Sequence, residues 1–159
     1  MSPPSPPAPN PCCSACSSGA EEPPLEEIAM SFTSARRAVE SYFGANWLLT
    51  PIAFENVAFT PPEDGRWVKL MILHEQSEQA ALGSPALHRY RGRILIYCFT
   101  PLGGGAQQAS ILADAAATLF DGALIASHVL LPPEITEDED IDGSYRAAVA
   151  IPFWRDETH

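Results

Sequence analysis

The chain has 159 residues, 46% of them hydrophobic, which suits one globular domain plus an appendage; about 130 folded residues bury enough surface to stand without disulfides or metal. A formal net charge of −11 excludes a free-standing nucleic-acid binder, because such proteins need Lys and Arg to displace phosphate counterions. No apolar run approaches the roughly 20 residues that cross a bilayer, and Met1-Ser2-Pro3-Pro4 lacks the charged and apolar regions of a signal peptide, so a soluble protein made in the cytoplasm is expected.

Residues 1–29 are dominated by Pro, Ser and Glu and lack the large apolar side chains that offset ordering entropy, so a flexible N-terminal extension is expected there. The folded domain is expected over 30–159. Phe32, Ala35, Val39, Tyr42/Phe43 and Trp47 then recur at intervals of three and four and predict a helix, with Ser31 or Thr33 as its cap and Gly44 at its end. Arg36 and Arg37 fall in its first turn, where the helix dipole disfavours cations by a few tenths of a kcal/mol. They are either solvated or answered by an acidic partner.

Short extended pieces are predicted over 52–59, followed by a turn at Pro61-Pro62 and Asp64-Gly65. Residues 67–74 are apolar on both faces, as in a central strand or a subunit contact, and 76–86 read as a polar loop. The next strand, 88–99, has Arg89, Arg91 and Arg93 on one face with Tyr90 and Gly92 opposite, then turns apolar. Pro101 to Gly105 break the chain before a second helix over 106–120, whose stripe is Ile111/Leu112, Ala115/Ala116 and Leu119/Phe120 and whose stop is Gly122. Strands at 124–131 and 145–153 flank an acidic connection. Tyr145, Ala147, Val149, Ile151 and Phe153 alternate onto one face of the last strand, and Pro152 points to a sheet edge. Antiparallel pairing with both helices on one face buries every stripe, which predicts an α+β two-layer sandwich.

The candidate chemical motifs are each incomplete. Cys12, Cys13 and Cys16 contain a C-x-x-C pair, but no second pair or suitably spaced His completes a zinc site. Asp138-Glu139-Asp140-Ile141-Asp142-Gly143 opens like a calcium loop, yet the position that should hold the closing Glu is Val149. Gly103-Gly104-Gly105 precedes a helix without the Lys-Ser/Thr of a phosphate-binding loop. Cys98, Ser110 and Ser127 with His74, His88 or His128 supply catalytic residue types, but none lies in a nucleophile elbow, and Cys98 suits a small core hydrophobe. No catalytic residue, cofactor or metal is assigned, and an enzyme is not expected.

Arg89, Arg91 and Arg93 are three of nine cations and lie about 6.6 Å apart along one strand face. They repel within a Debye length of about 10 Å unless anions lie close. Two answers stand open: a solvated strand end, or an acidic patch on a neighbouring subunit such as Glu137 to Asp142.

The ordered run of Phe59-Thr60-Pro61-Pro62 to Trp67-Val68, Tyr90 to Ile96, the Phe99 to Gly105 turn, the helix ending Leu119-Phe120 and the final Ile151-Pro152-Phe153 resembles the tail terminator (tail completion) proteins of long-tailed bacteriophages and gene transfer agents, over about 32–153. The resemblance implies a structural protein of the virion tail. Subunits would form a homomeric ring, hexameric as a rule, on the head-proximal end of the tail tube, stopping tube growth and offering a surface to the head-tail connector. It also implies partners: itself, the tail tube protein, the connector, and DNA in transit without specific binding, with no membrane. An acidic ring would repel passing phosphate. Some of Glu134, Glu137, Asp138, Glu139, Asp140 and Asp142 are therefore expected at the lumen or a subunit contact, with Arg89, Arg91 and Arg93 as further candidates for such a contact. The rival readings are another connector or tail tube component, or a small acidic ligand-binding module or hydrolase using the Gly103 to Gly105 turn.

Overall fold

A computed structural model describes residues 31–81, 86–141 and 143–158, with the backbone alone at 137–141. The proposed extension over 1–29, with its cysteines, lies outside the described residues. Eight elements follow in order: α1 (Phe32–Asn46), β1 (Ile52–Phe54), β2 (Trp67–Ala81), β3 (Leu87–Pro101), α2 (Gln107–Phe120), β4 (Val129–Leu130), β5 (Glu134–Ile141) and β6 (Ser144–Thr158).

The strands form one six-stranded sheet in the order β1-β2-β3-β6-β4, with β5 also paired to β6. Among the described residues only the β1–β2 pair is parallel. Period-two alternation sends Val68, Leu70 and Ile72 of β2, Ile94, Ile96 and Cys98 of β3 and Ala147, Val149 and Ile151 of β6 to one face. Both helices cover that face, giving the expected two-layer α+β sandwich.

Ser31 caps α1 by accepting from the Ser34 N–H, and Ala35, Val39 and Phe43, each four residues on, form its buried stripe. In α2 the small Ala109, Ala113 and Ala116 alternate with Leu112 and Phe120 and let the helix lie close to the sheet. The two helices meet where Phe43 stacks on Phe120 with centroids 5.8 Å apart, and where the Tyr42 hydroxyl donates to the Leu119 carbonyl at 2.9 Å. Gly122, at φ +68, ends α2 in the left-handed conformation that glycine tolerates.

Several sequence expectations need correction. Helix α1 runs two residues past Gly44 to Asn46, and Arg36 is its fifth residue, beyond the first turn. The polar segment after His74 continues β2 as far as Ala81, because its backbone pairs with β3 through a bulge between His74 and Ser77. A strand over 124–131 shrinks to Val129–Leu130: Ala126, at φ +48, makes a tight turn closed by the His128 N–H to the Ile125 carbonyl at 2.9 Å. The acidic connection is itself a strand, β5, paired with Ser144 to Ala150.

Pro152 is not at an edge, since β6 has β3 on one side and β4 and β5 on the other. Its carbonyl accepts from the Leu131 N–H at 2.8 Å. In an antiparallel strand a residue's N–H and C=O point to the same side, so the missing N–H faces the interval between β4 and β5, where Pro132-Pro133 interrupts the partner strand.

Candidate functional site

The second face of the sheet carries the candidate surfaces. Among the described residues neither helix covers it, and it presents half-buried Trp67, Lys69, Met71, Leu95, Tyr97, Phe99, Ala148 and Ala150 with exposed Leu73. Aromatic rings fix its geometry. Trp67 stacks on Phe99 at 4.0 Å between centroids and 9° between planes, Arg146 lies over Tyr97 at 4.7 Å, and Arg89 lies over Trp154 at 4.0 Å.

Arg89, Arg91 and Arg93 alternate onto this face as expected. Their mutual repulsion is answered within the chain, an arrangement the sequence did not disclose. Arg89 makes a bidentate bond to Asp156 at 2.7 and 2.8 Å, Arg91 reaches Glu78 at 2.6 Å, and Arg93 reaches Glu75 at 2.9 Å. The carboxylates come from the adjacent strands β2 and β6. The bond to Arg89 also holds the Asp156 carboxyl below its ordinary range, as the side-chain hydrogen bond outweighs desolvation.

Glu134 joins the three arginines: together with Glu75, Pro152 and Trp154 they line a cleft of about 270 Å³. Glu137, Asp138, Glu139 and Asp140 follow along β5, with Asp138 opposite Arg146 in register, and Asp142 lies outside the described residues. Arg36 has in-chain acidic partners too. It pairs with Glu40 one turn on and with Glu55, whose carboxylate also accepts the Ile72 N–H at 3.3 Å beyond the end of β1.

Among the described residues Cys98 lies apart from His74 and His128, which pack against Phe153. Cys98 is fully buried opposite Val68 and Ala147, and burial pushes its thiol up to about 12. His128 is buried; its Nδ1–H donates to the Ile125 carbonyl at 3.0 Å, and its ring meets Phe153 edge-on at 5.0 Å. His74 packs against Phe32 with ring centroids 4.0 Å apart. Burial lowers the pKa of both histidines, with the Arg155 guanidinium adding to the shift. Among the described residues no three His, Cys, Asp or Glu side chains are gathered as metal ligands, and no helix is long and apolar enough to cross a membrane.

Arg155 is a further functional-type residue that the sequence reading passed over. It is 1% exposed, lies over Tyr90 at 4.8 Å and pairs with Glu157. Desolvation lowers its pKa. The signal was the β6 alternation itself, which places Arg155 on the core face two residues after Phe153.

A sheet clad in helices on one side, with aromatic and ion-paired side chains spread across the other, describes an α+β subunit built around surfaces. The chain belongs to the phage tail terminator protein family, whose model matches residues 34–153. It is thus a structural protein of the phage tail, located in the virion tail and working within the tail and head-tail junction. A search of curated proteins finds no match. Among solved structures, one is similar over 82% of this chain and 96% of its own, with a TM-score of 0.58 and 21% identity, a likeness that speaks for the fold alone.

Proposed function

We propose that the subunits form a homomeric ring, hexameric in stoichiometry, which caps the head-proximal end of the tail tube, stops its polymerisation and presents a surface to the head-tail connector. Besides family membership, the observation that carries this reading is the sheet face that, among the described residues, neither helix covers. Leu73 is 41% exposed beside Met71, Leu95 and Tyr97, a continuous apolar strip that a neighbouring subunit or tube protein would remove from water.

In this reading Arg89, Arg91 and Arg93 lie at a subunit contact, where the mixed-sign cleft they share with Glu134 favours one register over others. Some of Glu134, Glu137, Asp138, Glu139, Asp140 and Asp142 face the lumen or the neighbour, and an acidic lumen lets DNA pass without specific binding. Electron microscopy of particles lacking the protein tests the role. Overlong tails or unjoined heads are expected, rescued by the wild-type chain. Absence of any tail would reassign it to the tube. A ring structure with all six acidic residues on its outer wall would overturn the lumen and contact assignments.

A further inference from the structure

One apolar groove adjoins the strip used by the assembly reading and shares Met71 with it. It lies where the segment 54–61 folds over the open face of β2, has a volume of about 490 Å³, and is walled by Phe54, Val57, Phe59, Trp67 and Met71, with Glu55 and Lys69 as its charged members. That is the size of a small-ligand site. Its aromatic wall is pre-organised: Phe59 packs on Trp67 at 5.0 Å between centroids, and Trp67 is backed in turn by Phe99. Val57, at 61% exposure, leaves an apolar rim in water. A groove walled by fixed aromatic rings, poor in convergent charge, is the surface that recognises polyproline II segments. Such segments bring apolar ring edges and have little conformational entropy left to lose.

The chain carries such a segment. Pro3-Pro4-Ser5-Pro6-Pro7-Ala8-Pro9-Asn10-Pro11 is uncharged and repeats the P-x-x-P spacing at Pro3/Pro6, Pro4/Pro7 and Pro6/Pro9. The point of attachment is also close. The segment enters the domain at Ser31, and Arg36, about 7.5 Å further along α1, bonds to Glu55 on the groove wall. Nineteen residues, 12–30, join the segment to Ser31, and a random coil of that length would reach about 24 Å and give an effective concentration at the groove of about 1 mM. At that concentration a free-peptide Kd of about 0.1 mM keeps the groove about 90% filled.

We propose that the proline-rich segment Pro3 to Pro11 docks as a polyproline II strand in the groove of its own chain, against Phe54, Phe59 and Trp67. It covers the apolar rim and gives the N-terminal extension a defined place on the domain.

A paramagnetic label tests this on the full chain. With Cys13→Ser and Cys16→Ser, Cys12 carries a nitroxide beside the prolines, while buried Cys98 stays unlabelled. The indole N–H signal of Trp67 should be selectively broadened relative to those of Trp47 and Trp154. Replacing the six prolines of the segment by alanine, or adding excess peptide of residues 1–11, should restore it. Equal intensities for the three indoles would overturn the proposal. So would broadening seen only between a labelled copy and a second, unlabelled copy, which would assign the groove to a neighbour's segment.

Discussion

The ring of Phe153 lies directly over Gly92, its cross-strand neighbour in the β3–β6 register. A Cβ at position 92 would stand 2.6 Å from Phe153 Cζ and 2.4 Å from the Leu73 backbone carbonyl oxygen. Glycine is therefore required here by close approach, since two neighbouring strands and a core aromatic converge on the space a side chain would take. The ring can swing aside, but the Leu73 carbonyl belongs to the β2–β3 ladder. Gly92→Ala should destabilise the domain by about 1–3 kcal/mol, read as a lower urea midpoint at unchanged slope.

Phe153 also separates the two histidines, with His128 5.0 Å and His74 6.1 Å from its ring. Their folded pKa values lie below the ordinary 6.5, so the unfolded chain takes up protons first as pH falls. The stability they allow is complete above pH 6.5 and is lost as pH drops below it towards the folded values. Thermal melts should fall between pH 7 and pH 5, and His128→Asn should flatten that decline. An unchanged slope in the variant would remove His128 from the account.

Arg155 and Glu157 form a pair in which the cation is almost wholly buried. Taking away the anion removes the Glu157 charge from a guanidinium that burial has already desolvated. Glu157→Gln should therefore cost about 3 kcal/mol in denaturant unfolding, whereas Arg155→Met, which removes the buried charge and keeps the packing volume, should cost less. Equal losses would show that packing against Tyr90 outweighs the charge.

The hydroxyl of Tyr42 links the helices through the Leu119 carbonyl near the C-terminus of α2. Tyr42→Phe keeps the ring contact with Phe120, 5.6 Å between centroids, and deletes only this bond. A loss of about 1 kcal/mol is expected, with faster amide exchange in the last turn of α2 as the local signature.

Much of the fold was legible in the chain itself. The three-and-four spacing of Ala35, Val39 and Phe43, the Ser31 cap, the glycine stop at Gly122 and the alternation of Arg89, Arg91 and Arg93 are local patterns, and each matches its place in the structure. The resemblance carried in order by Phe59, Trp67, Tyr90, Phe99 and Phe153 likewise agrees with the family match over 34–153. Periodicity suffices for such features because a helix or strand buries a face set by its own repeat.

Strand ends and partners were not legible. Residues 76–81 and 134–141 look like loops because they carry polar and acidic side chains, yet a strand can be held by its backbone ladder alone. Pro152 looks like an edge marker because a lost N–H is harmless at an edge; only the break at Pro132-Pro133 in the strand beside it makes an interior site equally harmless.

By itself, then, the sequence determined the two helices, the apolar parts of the central strands, which of their faces turn inward and which family the chain resembles. Tertiary structure decided that Asp156, Glu78 and Glu75 answer the three arginines, that Arg155 is buried over Tyr90, and that among the described residues one sheet face stays free of helix. These depend on register between segments far apart in the chain, and no local repeat encodes which carboxylate will lie opposite which guanidinium.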